Sequence, residues 1–178
     1  YNPSGKLPIS FPREEGQIPI YYNHFNTGRP APNETATNYV SAYIDLKNSP
    51  KFPFGYGLSY TTFNYSDLQL SKKVMKKNET ITVSFTLTNT GKFDGEEVVQ
   101  LYLKDQVGSV VRPVKELRDF QKVFLKAGAS QKITFTIDKE KLAFYNAKLE
   151  WAPEPGAFEV QLGASSADIR LKDNFELL

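Results

Sequence analysis

The chain has 178 residues, enough for one well-buried domain with an appendage and too few for two independent cores of ordinary size. Its 22 basic and 20 acidic residues leave a net charge of +2, so no long-range field draws it to nucleic acid or a membrane surface, and neither is expected as a partner. With no cysteine it can hold neither a disulfide framework nor a thiolate metal centre, and no run approaches the roughly 18 to 20 apolar residues of a spanning helix.

Tyr1-Asn2-Pro3-Ser4-Gly5 opens the chain in a turn, without an initiator methionine, and suggests a piece of a longer polypeptide. Residues 1–60 hold eight of the eleven prolines and seven of the ten tyrosines, which predicts an extended Pro/Tyr-rich arm. Within it, Lys6 to Pro12 reads as one short edge strand with Leu7, Ile9 and Phe11 on a common face and no partner inside the arm. So much aromatic surface must pack on something, and a neighbouring domain is the natural candidate.

From Phe63 the period changes to two. Thr80 to Thr88 alternates polar and apolar residues without a miss, the pattern of a strand with one face in a core. Glu97 to Leu103 follows after a Gly- and Asx-rich reversal, so these two strands are expected to pair as a hairpin. Further strands are predicted near 65–70, 120–125, 133–137, 141–149 and 158–162. The count reaches about seven, the number of an immunoglobulin or fibronectin type III-like β-sandwich in an all-β fold. Trp151 occupies no immunoglobulin core role here, because the disulfide it would pack on is absent.

Glycoside hydrolysis needs two carboxyl groups flanking a sugar, roughly 5 to 9.5 Å apart. The candidates are Glu14 and Glu15 in the arm and Asp94, Glu96 and Glu97 near the reversal. Neighbours on a strand point to opposite faces and turn carboxylates are usually solvated, so no acid/base pair is expected. Gly57-Leu58-Ser59-Tyr60 lacks the second glycine of a nucleophile elbow. His24 is the only histidine, which leaves no His-based metal site; it is read either as a satisfied arm residue or, with Arg29, as part of a polar cleft. Lys72, Lys73, Lys76 and Lys77 read as a solvated turn, and Asn33, Asn64 and Asn78 head glycosylation sequons of little weight.

Asn2-Pro3-Ser4-Gly5-Lys6-Leu7-Pro8, then Pro53-Phe54-Gly55-Tyr56-Gly57-Leu58-Ser59-Tyr60, Thr88-Asn89-Thr90-Gly91 and Arg112-Pro113-Val114-Lys115-Glu116-Leu117 together resemble the C-terminal region of glycoside hydrolase family 3. The resemblance spans essentially the whole chain, and Ile18 to His24 with Thr27-Gly28-Arg29-Pro30 is most similar to the family's bacterial periplasmic β-glucosidases. It implies a retaining β-glucosidase built from a barrel, an α/β sandwich and a fibronectin type III-like domain. Residues 1–59 would be the tail of the α/β sandwich and a connector arm, and 60–178 the fibronectin-like domain. The nucleophilic Asp and the acid/base Glu would both precede Tyr1, so no residue here inherits a catalytic role and no cofactor or metal is implied. The implied partners are the barrel and α/β sandwich of the same polypeptide, a β-glucoside bound through them, and a second copy in a homodimer. The implied location is periplasmic or secreted. An autonomous sugar-binding or adhesion module is the other reading, distinguished by whether the arm's aromatic rings face solvent or a neighbour.

Overall fold

The computed structural model describes residues 1–36 and 38–178. Two sheets carry the fold. The smaller is three-stranded in the order β1 (Phe63–Leu70), β3 (Ile81–Asn89), β6 (Ser130–Ile137). The larger is five-stranded in the order β2 (Val74–Met75), β10 (Ile169–Leu177), β9 (Gly156–Gly163), β4 (Gly95–Asp105), β5 (Glu116–Leu125). The alternation that marks β3 is what packs them: Ile81, Val83, Phe85 and Leu87 are buried on one face, next to Ile133, Phe135 and Ile137 of β6. Val99, Leu101 and Leu103 of β4, with Val160 and Leu162 of β9, close the core from the other sheet.

The expected hairpin between the strands at 80–88 and 97–103 does not form. β3 pairs with β1 and β6, whereas β4 pairs with β5 and β9, so the intervening turn crosses from one sheet to the other. Fully buried Asn89 holds that crossing. Its amide donates to Phe93 O at 2.8 Å and Leu125 O at 3.1 Å, and its oxygen accepts from Thr61 Oγ1 at 2.6 Å. Apolar alternation specifies which face is buried, and two strands facing each other across a core satisfy it as well as two side by side.

The strand expected over 141–149 is also replaced. One helical turn, α1 (Lys139–Leu142), is capped by Asp138, whose carboxylate accepts from Lys141 N at 3.0 Å. A two-rung hairpin follows, β7 (Phe144–Tyr145) with β8 (Trp151–Ala152), where half-exposed Trp151 lies against Tyr145 at 5.1 Å, outside the core. Leu142, Ala143 and Phe144 are buried consecutively where the chain leaves the helical turn and enters β7.

The arm folds back on itself. Leu7 N donates to Tyr56 O and Gly55 N to Leu7 O, both at 2.8 Å, and Phe11 N donates to Phe52 O at 2.8 Å. The Lys6–Pro12 segment therefore does have a partner inside the arm, more than forty residues downstream, and the chain between them is a loop closed at its base by this ribbon. Buried Gln17 ties the two sides of the loop further in, accepting from Arg13 N at 2.6 Å and donating to Lys47 O at 2.8 Å.

Candidate functional site: the arm against the sandwich

β4 is the strand on which the arm docks, because it is polar where a solvated sheet face would be and yet buried. Gln100 and Tyr102 point away from the core, and both are covered. Gln100 Nε2 donates to Gly55 O at 3.2 Å and to Ala164 O at 2.8 Å. Gly55 has φ +79°, and a Cβ there would stand 2.1 Å from Gln100 Oε1, so both conformation and space require glycine. Tyr22 stacks on Phe54 at 4.3 Å, meets Tyr102 edge-on at 5.7 Å, and its hydroxyl accepts from Leu117 N at 3.1 Å. His24 O accepts from Val114 N at 3.0 Å, which joins the loop to the Arg112–Leu117 motif.

The first residues of the arm seal the end of the sandwich. Glu97 has the parity of Val99 and Leu101, so its carboxylate enters the end of the core and is only 5% exposed. Lys6 Nζ lies 3.2 Å from Glu97 Oε1 and Tyr65 OH donates to the same oxygen at 3.1 Å. Burial raises the Glu97 carboxyl above its ordinary range, and the Lys6 charge and the two hydrogen bonds oppose that without cancelling it. Burial, then the Glu97 charge, likewise raises the Tyr65 hydroxyl. Alongside, Ser4 Oγ donates to Glu96 Oε2 at 2.9 Å, and Asn2 Oδ1 accepts from Tyr60 N at 2.9 Å while its amide donates to Asp94 O at 3.0 Å.

These contacts settle the five carboxylates. Asp94 accepts from Ala127 N, Glu96 is held by Lys122 and Ser4, whose hydrogen bonds lower its pKa, and Glu97 is sealed by Lys6 and Tyr65. Glu14 and Glu15 are exposed on a 3-10 turn (Glu15–Gln17). None forms a pair across an open cleft. The expectation that the turn carboxylates are solvated fails at Glu97, which is the third residue of a strand rather than part of the turn. The clue in sequence was its even spacing, two and four residues, from Val99 and Leu101.

His24 and Arg29 are not brought together. Both are exposed; His24 lines concavities beside Tyr21 and Asn48, and its Nδ1 lies 2.9 Å from Phe25 O. Arg29 borders neither concavity, and its backbone carbonyl accepts from Ser41 N at 2.7 Å. The lysine cluster is partly paired, Lys72 with Glu79 at 3.0 Å and Lys73 with Asp173. On the outward side of the loop Ile18, Tyr21, Phe25, Tyr39 and Ile44 are exposed, Ile44 almost completely.

A family model of the fibronectin type III-like domain matches residues 97–166, the stretch from β4 to the β9–β10 turn. The whole chain is 51% identical over 178 residues to a periplasmic β-glucosidase of Salmonella typhimurium, aligning with the C-terminal part of that protein. The relatives it matches are β-glucosidases of glycoside hydrolase family 3. It is also 44% identical over 176 residues to a putative β-xylosidase of Formosa agariphila. A β-glucosidase from Listeria innocua, solved with isofagomine, superposes on 99% of the chain at a TM-score of 0.93 and 45% identity. The chain spans about a quarter of the length of these relatives: 23%, 22% and 25%.

Proposed function

We propose that this chain is the non-catalytic C-terminal region of a family 3 β-glucosidase, which braces the catalytic domains through its arm. The observation that carries the reading is its alignment, from end to end, with the C-terminal quarter of β-glucosidases, combined with five candidate carboxylates that are committed to protein partners or exposed to solvent. The parent reaction is hydrolysis of terminal β-D-glucosyl residues by carboxyl groups upstream of Tyr1. Residues 1–59 act as connector and 60–178 as the fibronectin-like domain. Its partners are the barrel and α/β sandwich of the same polypeptide, with β-glucoside bound through them and a homodimer as the larger assembly. The name of the Salmonella relative supports a periplasmic or secreted location.

The exposed aromatic and aliphatic side chains of the loop favour bracing over an autonomous adhesion module. Ile18 and Ile44 offer no ring for a sugar to stack on, whereas a neighbouring domain would bury them with Phe25 and Tyr39. We assign His24 and Arg29 to the rim of the parent's active cleft, a reading supported by their exposure on the same loop. The isolated chain is expected to leave an aryl β-glucoside unhydrolysed, and turnover that survives repurification would overturn the assignment.

A further inference from the structure

Between the arm and the sandwich lies a cavity of about 290 Å³ whose walls come from six separate stretches of chain. Lys115, from the Arg112–Leu117 motif, forms one wall. Its ammonium donates to Ser166 O at 2.8 Å and lies 5.9 Å from the Tyr102 ring centroid, and among the described residues no carboxylate lies within 4 Å of it. Two of its three N–H donors therefore have no protein acceptor. Ser10 and Ser166 border the same cavity at 6% and 7% exposure, and neither hydroxyl forms a hydrogen bond among the described residues. Lys115 is only partly buried and Ser10 and Ser166 border the cavity, so three polar groups not fully satisfied by protein partners converge on one accessible space, as the few polar groups of a ligand site do.

The remaining walls narrow the chemistry. Glu34, an acceptor, borders the cavity, while Ile20, Pro50 and Val114 add an apolar surface. A simple anion would meet Glu34 with like charge, and a hydrocarbon would leave Lys115 unsatisfied. Vicinal hydroxyl groups satisfy donor and acceptor alike, and their ring carbons suit the apolar wall. The volume lies at the lower end of ligand sites, the scale of one small ring. Burial, followed by the charges of Lys172 and Lys104 and opposed by Glu159, holds the Lys115 ammonium below its ordinary pKa, which strengthens its need for a partner when charged.

We infer that this cleft is a binding site for a polyhydroxylated ligand the size of one pyranose, with Lys115 donating to ligand hydroxyls and Glu34 accepting from them. This inference does not depend on the parent's activity. Two-dimensional amide proton–nitrogen spectra of the 178-residue chain, titrated with D-glucose and separately with glycine, test it. Glucose is expected to give saturating shifts in the millimolar range, confined to the amides of the cavity walls, at 10, 20–24, 34, 48–49, 114–117 and 165–168. Lys115→Met is expected to weaken that binding roughly tenfold or more, the loss that follows from a charged hydrogen bond. Ser166→Ala, which leaves the Lys115 contact to the Ser166 carbonyl intact, is expected to weaken it by a smaller factor and guards against a Lys115→Met protein that fails to fold. Linear shifts, as for a cavity holding water only, would overturn the inference. So would shifts elsewhere, saturation by glycine but not by glucose, or binding indifferent to both substitutions.

Discussion

Replacing Lys6 by methionine isolates the arm's charge from its packing, because the methionine side chain keeps most of the aliphatic stem. Glu97 is then left with Tyr65 as its only side-chain partner inside a site that is 5% exposed. One-sided removal of a buried pair costs about 3–5 kcal/mol when the surviving charge is sealed. Two features lower that figure here. A cavity of about 240 Å³ borders both residues and admits water. Glu97 can also take up a proton: neutralising a carboxyl of ordinary pKa 4.5 at pH 7 costs roughly 3.4 kcal/mol, part of which burial already exacts in the native protein. The expected loss is about 2 kcal/mol, equivalent to a fall of roughly 1 M in the urea midpoint, followed by far-ultraviolet circular dichroism. Lys6→Met/Glu97→Gln, which removes both charges, is expected to recover more than half of it. A Lys6→Met loss under about 0.5 kcal/mol, or no recovery in the double variant, would refute the claim that this pair locks the arm to the sandwich.

The same site sets a pH dependence. Because the folded-state pKa of Glu97 is raised, its favourable contribution is complete below the ordinary carboxylate value of 4.5 and is lost as pH rises through the raised value. Glu97→Gln should flatten that decline in a stability-versus-pH series, and identical profiles would count against a raised Glu97. Removing residues 1–59 should leave one cooperative but earlier melting transition, since the buried core cluster contains no arm residue while Glu97, Gln100 and Tyr102 lose their covers. Loss of cooperativity would move the boundary. In the longer polypeptide, His24→Ala or Arg29→Ala should raise KM more than it lowers stability, and unchanged kinetics would remove either residue from the cleft rim.

What the sequence made legible was the burial of faces. The two-fold pattern of Ile81, Val83, Phe85 and Leu87 identifies a strand and its inner side, and the structure buries all four. Pairing was not legible, because the same pattern fits a hairpin and a crossing between sheets; Asn89, buried and bonded to both sheets' ends, decides between them. The short helical turn was hidden under a hydrophobic run, although Asp138 three residues before Lys141 is an N-cap signal. In the arm, prolines announced an extended chain but not that Leu7 and Phe11 would meet Tyr56 and Phe52, a long-range pairing with no local signature. Among the site residues, Glu97 was readable only by parity with its apolar neighbours. Lys115 stood inside a recognised motif whose geometry no spacing reveals.

The claim that the loop of the arm braces other domains is tested most directly by amide hydrogen exchange of residues 18–48. The comparison is between the isolated 178-residue chain and the longer polypeptide encoded upstream of Tyr1. In the isolated chain the amides near Ile18, Phe25 and Ile44 should exchange fast, and in the longer polypeptide they should be protected at least tenfold more, because the exposed apolar side of the loop is then covered. Equal exchange in the two, or a coding sequence with no barrel and α/β sandwich upstream, would contradict the account.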